Sequence, residues 1–448
     1  MPTFAPILKN IVLSTSFKLI STFIFSVVLS LSVSAQNHDH NSEDDHSEHA
    51  KGQDHNHNNP PNEATYVGHE NGHHELSCDD AGHHGGDSDP GATAFHHIAD
   101  ANVYSIGPLQ IPLPCILYNK NSGFDVFLSS KFGFDRIGHG DGHYAYKGYV
   151  LDGGTIRMIQ DQNFPKEKTE IKGIIHDHET NAAFVCTGDE MFATYNKSTA
   201  DFGLFGGGIT PFFDFSLTKN VVSMLLVVLF LSWLMIKVAR AYKTRRGLAP
   251  KGSQSLIEVI FAFIQDEVAK PFLGHHYMKY LPFLMALFFF ILGLNLFGQI
   301  PFLGGSNVTG NLGVTLVLAI FAFLVTNLSG NKHYWEHIFA MPGVPKFVLA
   351  ILTPVEFLGV FIKPITLMLR LFANITAGHM VIIIFVSLIF MFSNNGTSYV
   401  GGYGTAVAST ALTLFMMAIE LLVAFIQAFV FTILTASYIS AAIEEPHH

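Results

Sequence analysis

The sequence predicts an all-α membrane domain of about five segments, preceded by a disordered His-rich linker and a small β-rich extracytoplasmic domain. Hydrophobic residues make up 49% of the 448 positions and charged residues only 13%, which is the balance of an integral membrane protein carrying soluble parts. Of the 24 histidines, 13 fall between His38 and His97, where acidic residues are dense and Lys51 is the only basic one. The net charge of -10 therefore describes mainly that tract, and no basic patch points to a nucleic-acid partner.

Residues 1–35 combine Lys9 and Lys18, the apolar run Leu19 to Val33 and the small residues Ser34 and Ala35, the order of a cleavable secretory signal; an uncleaved anchor helix is the alternative. Residues 36–97 hold almost no large apolar side chains, too few to offset chain entropy, and so read as a disordered linker. Imidazoles and carboxylates at these densities also suit loose metal binding, and a secondary ion or metal transporter gathering its substrate on this tract is the rival function. Residues 98–217 change to short β-branched and aromatic runs broken by turn residues, such as Tyr149-Val-Leu-Asp-Gly-Gly-Thr-Ile156, the texture of a small β-rich domain. Three cysteines, Cys78, Cys115 and Cys186, follow no metal-ligand spacing. Cys115 with Cys186 is the pairing weighed here, and an odd count leaves one thiol over.

The membrane part spans 218–448. Apolar segments at 220–239, 281–303 and 312–329 are each long enough to cross a hydrocarbon core of roughly 30 Å. Between the first two, Ser255 to Lys270 reads as an amphipathic helix along the cytoplasmic surface. The last two segments are overlong. Phe347 to Phe392 carries only Glu356, Lys363, Arg370 and His379 as ionisable groups, and Thr405 to Ile443 only Glu420. A continuous helix over the first would be about 69 Å long, so it bends at Pro354 and Pro364 or lies steeply tilted. Lys and Arg cluster after the first span and between the third and fourth, whereas 304–311 and 393–404 have none. This puts the N-terminal domain outside and the C-terminus inside.

Glu356, Lys363 and Arg370 are spaced by seven and seven, which keeps them within about 40° of one helix face. Asn374 follows one turn later, and Glu420 and Gln427 are again seven apart on the last segment. Facing each other, the two stripes would satisfy polar groups that lipid cannot. One account is interhelical glue, with Glu356 paired to Lys363 and Glu420 to His379. The other is a proton path, in which Glu and His exchange protons and Arg370, always charged, stands as a fixed charge.

The motif Leu369-Arg-Leu-Phe-Ala-Asn374, then Gly378-His379 and Gln427-Ala-Phe-Val-Phe-Thr-Ile-Leu-Thr435, resembles subunit a of the F-type ATP synthase over about 218–443. Asn295 to Pro301 and Gly310 to Leu316 extend the likeness. The resemblance implies that Arg370 faces a ring of c subunits and meets its essential carboxylate, with Asn374 and Gln427 close by. It assigns Glu356 to a cytoplasmic half-channel and His379 with Glu420 to an external one, and Lys363 remains a possible accessory. Many bacterial members carry the acid first and the imidazole second, so the two are exchanged here, and Gly298 stands where some relatives have aspartate. The implied partners are the c-ring, subunit b of the peripheral stalk and inner-membrane lipid. No cofactor or metal is implied, and ATP chemistry falls to other subunits because no Walker-type loop is present. Ion choice rests mainly on the ring, so a sodium-coupled relative stays open.

Overall fold

The computed structural model describes Cys78 and residues 100–106, 109–120, 122–133, 142–177, 182–188, 190–195, 210–245, 248–300, 307–339, 341, 344–392 and 399–444. The segment 1–35, read from the sequence as a signal, and, apart from Cys78, the His-rich tract lie outside the described residues.

The first body is antiparallel β. β1 (Val103–Ile106) and β2 (Leu109–Pro112) form a hairpin, and β3 (Pro114–Asn119) pairs with β4 (Gly123–Leu128) on one side and β12 (Phe212–Asp214) on the other. β5 (Tyr144–Ala145) pairs with β8 (Thr169–Glu170), and β6 (Tyr149–Asp152) with β7 (Thr155–Met158). A second three-stranded sheet runs β11 (Glu190–Ala193), β10 (Ala183–Thr187), β9 (Gly173–His176). Gly153 and Gly154 make the β6–β7 turn with φ of 52° and 80°. Positive φ at both central residues matches the twist of the strands they join. A Cβ at Gly154 would come within 2.7 Å of Ala101, so this turn also needs glycine for space.

Alternation along β3 sends Cys115, Leu117 and Asn119 inward, onto a core with Phe132, Tyr149, Ile156 and Phe212. The neighbouring core gathers Val150, Ile159, Phe164, Ile174 and Val185. Cys78 is bonded to Cys186 with Cα atoms 5.6 Å apart, while Cys115 is free and buried. The pairing weighed from the sequence, Cys115 with Cys186, is therefore corrected: Cys115 faces the core of its own sheet, where burial pushes its thiol up to about 12.

The sheet passes into the first long helix without a slack peptide. The Phe215 amide donates to the Ile116 carbonyl at 2.8 Å, that of Leu217 to Pro114 at 3.2 Å and that of Lys219 to Ala101 at 2.7 Å. The Asn220 amide donates to the Asp100 carboxylate at 3.0 Å. A carboxylate there satisfies a free helix-start N–H and complements the dipole. Burial raises the Asp100 carboxyl above its ordinary range, and its hydrogen bonds to Thr218 and Asn220 partly offset this.

Eight helices follow among the described residues: α1 (Lys219–Thr244), α2 (Ser253–Ile264), α3 (Lys270–Leu273), α4 (Tyr277–Gly298), α5 (Leu312–Leu328), α6 (Lys332–Phe339), α7 (Lys346–Phe392) and α8 (Tyr399–Ile443). Four helical runs are long and apolar enough to cross a membrane, or five if α5 and α6, bent by 105°, count as one broken span. The overlong segments are single helices of 47 and 45 residues, and both prolines, Pro354 and Pro364, lie inside α7. The segment Ser255 to Lys270, expected as a surface helix, is helical and leads a 46-residue run, Ser253–Gly298, that includes a π-helical turn at Gln265–Ala269 and a 3-10 turn at Gly274–His276. Ile257, Phe261 and Ile264 pack inward, yet Leu256, Val259 and Phe263 are exposed. An apolar outer flank suits lipid or a partner better than water.

Candidate functional site

The most extensive packing in the helical body is between α7 and α8, and their cross-helix contacts fix the register. The Asn374 amide donates to the Gln427 side-chain carbonyl at 2.8 Å. Five residues on, His379 Nδ1 lies 3.6 Å from Glu420 Oε1. Further on still, the Ser409 hydroxyl donates to the Phe385 carbonyl. In the other direction the Lys363 ammonium sits 5.4 Å from the centre of the Tyr438 ring. In the Asn374, His379 and Lys363 pairs the two residue numbers add to about 800, the arithmetic of two antiparallel helices in one register, whereas the Ser409–Phe385 pair is displaced from it by about two turns. From Lys363 to Phe385 the seam runs about 33 Å along α7, close to the thickness of a hydrocarbon core.

Burial differs sharply from one side of this seam to the other. Glu420 is 5% exposed and Gln427 3%, whereas Arg370 and Glu356 are half-buried and Asn374 is exposed. Among the described residues Glu420 Oε1 and Gln427 Nε2 have no hydrogen-bond partner, so each keeps a lone pair or an N–H for something else. Gly378 makes room for Glu420: a Cβ there would lie 3.0 Å from Oε1 and 3.3 Å from Cδ. Asn295 of α4 donates to the Ala424 carbonyl at 3.2 Å, between Glu420 and Gln427. From the other side, the Thr376 hydroxyl donates to the Gly310 carbonyl at 3.4 Å. Thus α4 and the turn ahead of α5 both close on the seam.

The sequence-predicted residues separate into two groups. Asn374 with Gln427 and His379 with Glu420 are brought together, each pair across the two helices. Glu356 and Lys363 do not form the ion pair that the glue account requires. Lys363 turns instead to the Tyr438 ring, and on a helix an i, i+7 pair is two turns, about 10 Å, apart. Among the described residues no carboxylate pairs with Arg370, which lies within electrostatic range of Tyr438. Tyr438 and Gly378 were not singled out by role in the sequence. Tyr438 carries no charge to set it apart from the small polar residues around it, and the glycine reads as a neutral neighbour of His379.

These elements define a polytopic helical membrane protein whose two longest helices enclose a shared polar seam, with a β-rich body ahead of the first span. The ATP synthase A chain family matches residues 221–440. ATP synthase subunit a of Chloroherpeton thalassium is 43% identical over 242 residues, covering 53% of this chain and 69% of the relative. ATP synthase subunit a 2 of Chlorobaculum tepidum is 40% identical over 264 residues, covering 56% and 72% respectively. The chain belongs to the ATP synthase subunit a family. Residues 93–182 match a Domain of unknown function (DUF8433), which overlaps the β-rich body. No comparison favours a secondary ion or metal transporter, and the His-rich tract that motivated it lies outside the described residues.

Proposed function

We propose that this chain is the proton-translocating stator subunit of the F0 sector of a rotary ATP synthase, offering two offset half-channels to the carboxylates of a c-ring. The observation that carries the reading is the α7–α8 seam: two polar cross-helix pairs lie beside an arginine that has no carboxylate partner among the described residues. A half-buried guanidinium at membrane depth is costly unless a counter-charge reaches it. A carboxylate on a partner subunit is such a charge. The flank of α7 supports a partner of this kind, because Ile351, Val355, Leu358, Ile362, Ile365 and Leu369 are all exposed. Their steps of four, three, four, three and four make one apolar helical stripe about 27 Å long.

In this reading protons enter from outside past His379 and Glu420 and protonate a ring carboxylate near Arg370, while Asn374 and Gln427 orient the exchange. Neutralisation removes the desolvation cost that kept the carboxylate from lipid, so the ring can turn. After most of a rotation the proton leaves on the cytoplasmic side near Glu356. Arg370, which does not deprotonate, separates the two half-channels. Lys363, held over Tyr438, steadies the same face as an accessory charge. The chain itself carries no catalysis; ATP is handled by other subunits, and subunit b and inner-membrane lipid complete its surroundings. The proposed organisation is a signal over 1–35, a linker over 36–97, an extracytoplasmic domain over 98–217 and the channel domain over 218–448, with the C-terminus cytoplasmic.

Replacing Arg370 by Ala in the assembled enzyme tests this. ATP-driven proton pumping is expected to vanish and passive proton leak to rise. Normal coupled pumping overturns the reading, and ion movement that follows sodium instead of pH reassigns the ion.

A further inference from the structure

The outer face of the β12–β3–β4 sheet is apolar and uncovered. Pairing sets Tyr118 opposite Phe124, Ile116 opposite Val126 and Phe213 opposite Tyr118, so these side chains form one surface. Phe124 is 68% exposed, Val126 65% and Leu128 49%, and among the described residues no ionisable group interrupts them other than the Tyr118 phenol. A soluble domain rarely leaves a contiguous apolar sheet face open unless something covers it. Alternation along the chain shows what lies next to it. Phe213, Phe215 and Leu217 point the same way at intervals of two, Phe215 is 41% exposed, and Leu217 already packs against the apolar core of the membrane helices. Phe213 is four residues from Leu217, or roughly 13 Å of strand.

We propose that this sheet face is a lipid-binding surface that rests on the outer leaflet of the bilayer crossed by α1. The apolar strip is continuous from the helical core through Leu217 and Phe215 to the sheet, so the face begins within reach of the interface. Its composition suits that depth: Phe, Ile, Val and Leu contact acyl chains, and the single phenol at Tyr118 has a polar end for the headgroup level. A protein partner would be expected to find charged or hydrogen-bonding groups on the face to fix its orientation, whereas a fluid apolar medium needs none. The β-rich body would thereby gain a second attachment to the membrane beside its covalent one. This inference rests on the embedding of the helices and on the extracytoplasmic placement of the β-rich body proposed above, and it does not depend on the role of Arg370.

The test places a tryptophan on the face of the full-length chain. In a background of Trp233→Phe and Trp335→Phe, Phe124→Trp and separately Val126→Trp are reconstituted into vesicles of phosphatidylcholine with or without bromine on the acyl chains. Each tryptophan is expected to lose at least half its emission in brominated lipid and to resist aqueous iodide. Two variants guard against a local folding defect in one. Quenching by iodide without quenching by bromine would mean that the face stands in water, and protection from both would mean that protein covers it; either result overturns the proposal. Neither outcome bears on proton pumping, which is read separately.

Discussion

Gly378 shows how closely the α7–α8 seam is fitted at the level of single atoms. A methyl group at that position would press on Glu420 Oε1 and Cδ at 3.0 and 3.3 Å, and the carboxylate would have to move away from His379. Gly378→Ala is therefore expected to lower ATP-driven proton pumping several-fold in membranes with normal assembly. The facing of His379 and Glu420 across 3.6 Å leads to a second expectation. Exchanging the two, His379→Glu with Glu420→His, should retain more pumping than either residue's replacement by Ala, and equal loss in all three would show that each group is needed on its own helix. Both members of this pair were legible from residue type, since few ionisable groups occur in these runs. The Asn374–Gln427 hydrogen bond was legible only as proximity to the arginine. The turn of Lys363 towards Tyr438 was not legible at all, because helical spacing aligns Lys363 with Glu356 and says nothing of an aromatic ring on another helix.

Among the elements, length was the clearest signal and junctions the least clear. The two overlong apolar runs did become single helices, α7 and α8, and the alternating runs ahead of them became antiparallel strands. The segment from Ser255 to Lys270 did become helical, and its outward positions include the apolar Leu256, Val259 and Phe263. The disulfide was misjudged. Spacing cannot show that alternation turns Cys115 into its own sheet while Cys78 comes in from the His-rich tract. The bond closes a sequence separation of 108 residues, so Cys78→Ser should destabilise the β-rich body by about 4–5 kcal/mol on the chain-entropy account. Its thermal unfolding, followed in the purified full-length chain, measures this. Cys115 supplies a pH-dependent expectation. Its folded thiol is pushed up to about 12 from an ordinary value of 9.0. The stability contribution is then fully present below pH 9 and is lost as pH rises through about 12, because the unfolded thiol ionises first. Maleimide should accordingly leave Cys115 unmodified at pH 8 until denaturant is added, and rapid labelling of the native protein would contradict its burial.

Across the whole molecule, two bodies of different texture are joined end to end, and only the helical one lies within the subunit a match. Deleting residues 38–77, which spares Cys78 and its bond to Cys186, is expected to leave ATP-driven proton pumping largely intact. Loss of pumping with normal assembly would bring the His-rich tract into the transport path. The sequence marked the two bodies by composition, but it gave no sign of how they meet, since Asp100 and Asn220 are 120 residues apart and neither belongs to a motif. Their hydrogen bond, with those of Phe215, Leu217 and Lys219, ties successive alternate residues of the passage from strand to helix. The β-rich body is thus mounted on α1 like a bracket and not hung like a pendulum: each of these bonds would have to break before strand and helix could swing apart.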